Sequence, residues 1–184
     1  MSMFTRYTPA ARAAVVRAGL LSLAAGRHVL DEDAVLVALA ETRPFDRPLA
    51  AFEVSVAAVH AAVLPGGAAD AALLATLGID LAEVRRRMPR PVDDPARWEL
   101  RRSRSRPLRV TLRGPAAALR LTARARKVVE VARHRPGPDG RVTGEALLRG
   151  LLADGSNRSV RVLAGLGVPL RPLAAELDCL RHAA

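Results

Sequence analysis

The chain has 184 residues, half of them apolar and only 3% aromatic, with a formal net charge of +11. That length allows one good core or two small packed halves, and with so few rings the core must be built from Ala, Leu and Val, which suits close-packed helices. The single cysteine, Cys179, excludes an internal disulfide and a thiolate metal cluster. His28, His60, His134 and His182 are scattered and offer no ligand pair, so neither a metal nor any other cofactor is expected.

Thr8-Pro9 opens the first helix, a capping hydroxyl followed by proline at the first helical position. Gly26 breaks it. Asp31 caps a second helix whose stretch from Ala34 to Ala40 is apolar on every side, which means burial. A proline-bounded turn covers 42–48, and the spacing of Phe52, Val56, Val59 and Val63 predicts an amphipathic helix over 49–64. Pro65-Gly66-Gly67 stops it, and two short helices follow over 68–77 and 81–88. From Pro89 to Gly114 the chain reads as a solvated basic linker, with the run Arg101-Arg102-Ser103-Arg104-Ser105-Arg106. Within it, Leu108 to Leu112 alternates and suits a short extended piece. A long helix is expected over 116–134, a turn over 136–140, and a helix capped by Thr143 that runs to Leu152. Helices over 158–166 and 169–181 complete the chain, and Cys179 in the last of them reads as a buried, inert thiol.

Two stretches of the chain correspond. Thr8-Pro9-Ala10-Ala11-Arg12 is matched by Thr122-Ala123-Arg124-Ala125-Arg126. Each is followed by an acidic start to an apolar helix, Asp31-Glu32-Asp33-Ala34 and Thr143-Gly144-Glu145-Ala146. Each closes similarly, on Leu77-Gly78-Ile79-Asp80-Leu81 and Leu166-Gly167-Val168-Pro169-Leu170. Asp33 and Glu145 are 112 positions apart but the Leu-Gly pairs only 89, so the first copy holds 23 extra residues. The expected fold is therefore all-α: two tandem pseudo-symmetric helical repeats, 1–88 and 115–184, joined by the basic linker 89–114. The insertion lies within about 42–66 of the first repeat.

This ordered set of motifs resembles the N-terminal repeat domain of Clp-family (Hsp100) unfoldases, particularly the ClpC type. Each repeat of that domain opens with Phe-Thr-x-x-Ala and ends near Leu-Gly-x-x-Leu; here Phe4 precedes Tyr7-Thr8, and Leu121-Thr122 opens the second copy. The resemblance covers nearly the whole chain, and no Gly-x-x-x-x-Gly-Lys-Ser/Thr phosphate loop accompanies it. It implies a stand-alone, actinobacterial-like recognition domain, not an enzyme, that binds peptide or protein segments. Such a module would act as adaptor or competitor in a Clp protease system, or sequester cyclic-peptide antibiotics. The resemblance also implies two sites. A phosphoarginine pocket would use Thr8 and Thr122 toward the phosphate and Asp33 and Glu145 toward the guanidinium, with Glu32 as a substitute for Asp33. A cyclic-peptide groove would use Phe4, Arg12, Val15, Leu121 and Arg126. Read from the residues alone, the threonines are helix caps, the acids favour helix dipoles, and Phe4 and Leu121 are hydrophobic staples.

Charge remains to be assigned. Lys127 is the single lysine among 29 basic residues, which points to high-GC coding bias more than to a nucleic-acid footprint, and the scarcity of aromatics excludes a base-stacking platform. The alternative function is a nucleic-acid-binding regulator using Arg101 to Arg106. With no apolar run long enough to span a bilayer and no leader pattern, a cytoplasmic location is expected.

Overall fold

The computed structural model describes residues 2–63, 94–103, 105–106 and 108–182. The helices expected over 68–77 and 81–88, the Leu77 to Leu81 finish and the side chain of Cys179 lie outside the described residues.

Helix α1 spans Pro9–Ala24, and Thr8 caps it as its Oγ1 accepts from the Ala11 amide at 3.2 Å. Its inner face is small (Ala11, Ala14, Val15, Ala18, Gly19), which lets a neighbouring element approach closely. A Cβ at Gly19 would stand 2.5 Å from the Leu112 side chain. Gly26 adopts φ 68° beyond the end of α1, a left-handed turn that glycine takes without Cβ cost. Strand β1 is Val29–Leu30, and α2 is Glu32–Thr42, capped by the Asp31 carboxylate on the Ala34 amide at 2.9 Å. Residues 32 to 40 of α2 are all buried. Their uniform burial explains why this helix carries no polar stripe.

Arg43 ends α2 in the left-handed region, at φ 43°. The strain is offset by its guanidinium, which donates to the carbonyls of Phe52 (2.7 Å) and Val54 (2.6 Å) and stacks over the Phe52 ring at 5.4 Å. Those carbonyls are thereby held outside any helix. The expected helix over 49–64 accordingly begins only at Val56, as α3, Val56–Val63. Glu176 further fixes the segment by accepting from the Ala50 and Ala51 amides at 2.9 and 3.1 Å.

Beyond a 3-10 turn at Pro95–Arg97 the chain departs from an all-α fold. Strands β2 (Glu99–Arg102), β3 (Val110–Arg113) and β4 (Ala118–Leu121) join β1 in a four-stranded sheet ordered β1-β4-β3-β2. The β2–β3 and β3–β4 pairs are antiparallel, and β1 runs parallel to β4. The physical reason lies in period-two burial: Trp98, Leu100, Val110, Leu112 and Leu119 point into the core while Arg101, Arg113 and Arg120 face water. Strands β2 and β3 are thus a structural layer, and this part of 89–114 is not a solvated linker. Strand β4 likewise takes the start of the helix expected over 116–134. Ala-Leu-Arg-Leu is good helical sequence, but pairing on both edges overrides that propensity.

The remaining helices are α4 (Ala123–His134), α5 (Gly144–Leu152), α6 (Arg158–Gly165) and α7 (Leu170–His182). Thr122 caps α4 and Thr143 caps α5, each hydroxyl accepting from the amide three residues on. Helix α1 lies along α2, and α4 along α5. The two pairs are tied crosswise. The Thr8 amide donates to the Val142 carbonyl at 2.9 Å, and the Thr122 amide donates to the Leu30 carbonyl at 2.9 Å. Each long helix therefore starts against the chain that leads into the short helix of the other pair, and one core serves both.

Candidate recognition corners

The tie between Thr122 and Leu30 brings the start of α4 beside the start of α2. There Glu32 Oε2 lies 3.5 Å from Thr122 Oγ1, and Glu32 Oε1 lies 3.3 Å from Arg124 Nη1. Glu32 is nearly buried whereas Arg124 is half exposed. A helix N-terminus, a hydroxyl and a guanidinium together suit an anion, and the carboxylate beside them suits a cation. This corner can thus receive a group that carries both charges.

Asp33, the expected partner, is directed elsewhere. Its Oδ1 accepts from Ser159 Oγ at 3.1 Å and its Oδ2 pairs with Arg158 at 2.9 Å, which also donates to the Val63 carbonyl. Burial pushes the Asp33 carboxyl above its ordinary range, against the opposing pull of Arg158 and the Ser159 hydrogen bond. Asp33 holds α2 to α6 while Glu32, one residue earlier, faces the corner.

The matching corner at the start of α1 is closed. Thr8 caps its helix as Thr122 does, but the position matching Glu32 is Gly144 and that matching Arg124 is Ala10. Residues 43–46 cross over Gly144 so tightly that a Cβ there would meet the Pro44 carbonyl oxygen at 2.1 Å. The Asp46 amide donates to Glu145 Oε1 at 2.6 Å. Glu145 Oε2 is buried without a hydrogen-bond partner among the described residues. The chain's own strap occupies the carboxylate proposed for a guanidinium.

Of the expected groove residues, Phe4 and Arg12 are brought together. Phe4 is buried, set edge-on to Tyr7 at 5.2 Å and covered by the Arg12 guanidinium 5.2 Å above its ring. Arg12 also donates to the carbonyls of Ala96 (2.9 Å) and Trp98 (2.8 Å), which commits its guanidinium to the segment before β2. Val15 belongs to the core, and Leu121 is half-buried at the end of β4. Arg126 donates to the Leu108 carbonyl and lies 3.8 Å from Glu130.

Sequence reasoning missed the Arg43 clamp and the strap it holds; an arginine directly before Pro44, where a helix must stop, was the available signal. It also missed Glu41, which joins α1 to α3 through Arg17 (2.6 Å) and His60 (2.8 Å). Burial alone would raise the Glu41 carboxyl, but the two hydrogen bonds outweigh it and hold the group below its ordinary range. Among the described residues, no cluster of His, Cys, Asp or Glu could hold a metal, and no helix is long and apolar enough to cross a membrane.

No family model matches the chain, and no curated protein matches it. Among solved structures the chain is similar to the N-terminal domain of the caseinolytic protease associated chaperone ClpD from Arabidopsis thaliana. The likeness has a TM-score of 0.56 at 16% identity and covers 96% of this chain and 95% of that one. The chain therefore has a Clp N-terminal-domain-like fold, helical with a four-stranded sheet.

Proposed function

We propose that the chain is a non-enzymatic recognition module for peptide or protein segments, working through the corner of Thr122, Glu32 and Arg124. The observation that carries this reading is that an ion-paired carboxylate, a capping hydroxyl and a half-exposed guanidinium converge on the start of α4. A phosphorylated arginine side chain on a peptide fits that arrangement: its phosphoryl group suits the Thr122 hydroxyl, the Arg124 guanidinium and the helix N-terminus, and its guanidinium suits Glu32. The likeness to a Clp chaperone domain supports a place beside a Clp unfoldase, as adaptor or as competitor for its clients, with sequestration of cyclic peptides as a further role. We also read the crosswise ties at Thr8 and Thr122, and the four matching N-caps, as support for a tandem repeat in which the second corner has been closed by the insertion.

Titration calorimetry with a phosphoarginine peptide tests this. Glu32→Ala is expected to weaken binding at least tenfold, as is Thr122→Ala, whereas Glu145→Ala leaves it unchanged. Binding that survives Glu32→Ala and vanishes with Glu145→Ala would assign the site to the other corner and defeat the reading. A cyclic apolar peptide provides a second arm, expected to bind only if the Arg12 guanidinium leaves the Phe4 ring.

A further inference from the structure

The net charge is not spread over the molecule. Residues 95–127 hold eleven basic side chains and one acid, Glu99, so this strip carries all but one unit of the net charge of +11. A coding bias toward arginine would act along the whole chain and does not explain such concentration. The described residues of the strip form β2, β3 and β4, the segments beside them and the start of α4.

Its outer face can be read from the register. Val29, Arg120, Thr111 and Arg101 form one cross-strand row, and Ala118, Arg113 and Glu99 form the next. Glu99 is paired with Arg101 at 2.7 Å. Among the described residues, the guanidinium groups of Arg113 and Arg120 have no ion-pair or hydrogen-bond partner, and both are exposed. Among the described residues, three acids reach the strip from outside it: Glu32, Glu130 and Asp154. Ten of the eleven basic side chains lie among the described residues, and after these acids and Glu99 are counted, six positive charges there are unbalanced.

We propose that this sheet face docks on the phosphate backbone of duplex nucleic acid. The choice rests on charge density and side-chain type. Strand β2 with Trp98 and Ser103, one extended residue beyond each end, spans about 20 Å at ~3.4 Å per residue. A duplex carries one charge per ~1.7 Å of axis, hence about twelve over that length and about six on the facing side. Six unbalanced cations match this. An acidic peptide lying extended on the sheet would present only about three carboxylates, because alternate side chains point away. Arginine also meets phosphate through two parallel N–H donors, which lysine cannot do. Single strands are disfavoured, since the face offers no ring for stacking and Trp98 is buried beneath it. A flat face of this kind reads phosphates and not bases, so binding is indifferent to sequence.

Fluorescence anisotropy with a labelled 20-base-pair duplex, repeated across salt, tests the assignment. The expected log–log salt slope is about −5 for five to six phosphate contacts. Arg113→Ala combined with Arg120→Ala should weaken binding at least tenfold at low salt and make the slope shallower by about 2. The charge-matched pair Arg161→Ala and Arg171→Ala, exposed on α6 and α7, should leave both unchanged, with circular dichroism confirming that each variant is folded. DNA and RNA duplexes should bind alike. Equal losses in the two variant pairs, a slope near zero, or tighter binding of a polyglutamate peptide than of the duplex overturns the proposal. None of these substitutions touches Glu32 or Thr122, so this inference and the peptide reading fail independently.

Discussion

At the start of α4 an ion-paired carboxylate stands beside the capping threonine, whereas at the start of α1 the matching position is a glycine pressed against a proline carbonyl. Both threonines accept from the amide three residues on, and both donate their own amides across to the other helix pair. The backbones of the two corners are therefore equivalent, and side chains at two matched positions, Glu32 against Gly144 and Arg124 against Ala10, make the difference. Glu32 presents an ion-paired carboxylate to the start of α4, and Gly144 leaves room that Pro44 to Asp46 fill. A site can be lost to the chain's own backbone while every local signal of the site, cap and acid included, stays legible.

The largest effect should come from restoring a side chain to the closed corner. Gly144→Ala gains about 1 kcal/mol of helix propensity but places a Cβ 2.1 Å from the Pro44 oxygen. Backbone atoms yield less readily than side chains, so a net loss of about 3 kcal/mol is expected in urea denaturation. Gly19→Ala, whose Cβ would meet the ends of the Leu112 and Leu119 side chains and no backbone of another element, should cost less than half as much. If both glycines tolerate alanine equally, the strap is not packed as described.

Next comes the clamp behind the strap. Arg43→Ala should cost about 2 kcal/mol, because it removes two charge-assisted hydrogen bonds and keeps a Cβ in the left-handed region. Arg43→Gly should cost about 1 kcal/mol less, since glycine adopts that conformation freely. An unfolding midpoint lower for Arg43→Gly than for Arg43→Ala would contradict this account of the strain. On the open corner, Glu32→Ala should move stability by less than about 1 kcal/mol, since Arg124 is half exposed and can return to water.

The two ends of α2 offer a finer contrast, in pH. Glu41 is held below its ordinary pKa of 4.5, so the stability it contributes is present above that value and is lost as pH falls through its lower folded pKa. Asp33 is raised above its ordinary 3.8, so its contribution runs the other way: complete below 3.8 and lost as pH rises through its folded pKa. Chemical denaturation across acid pH should show Glu41→Gln removing part of the acid-side loss and Asp33→Asn removing part of the loss on raising pH. A pH profile unchanged by either substitution would show that neither carboxylate shifts on folding.

What the sequence disclosed follows from range. Thr8, Asp31, Thr122 and Thr143 were each legible as caps, because a cap is completed within three residues. The sheet was not legible, because its alternation is carried by arginines that also read as a charged linker, and β4 is a strand through pairing with β3 and with β1, the latter some ninety positions earlier in the chain. The choice between Glu32 and Asp33 was likewise beyond sequence. The two are adjacent on α2, and only packing against α4 on one side and α6 on the other sets which carboxylate faces the corner.

The crosswise ties also set an order on events at the ribosome. The Arg141 side chain reaches the Tyr7 carbonyl across 134 residues, and Thr122 reaches Glu32 across 90. Neither tie can close until most of the chain has emerged, so the nascent first helix pair waits with its apolar face uncovered. Closing such distant contacts before they repay the loop entropy slows the search. A chain arranged this way finishes folding late and all at once, and it depends during synthesis on whatever shields exposed helices from one another.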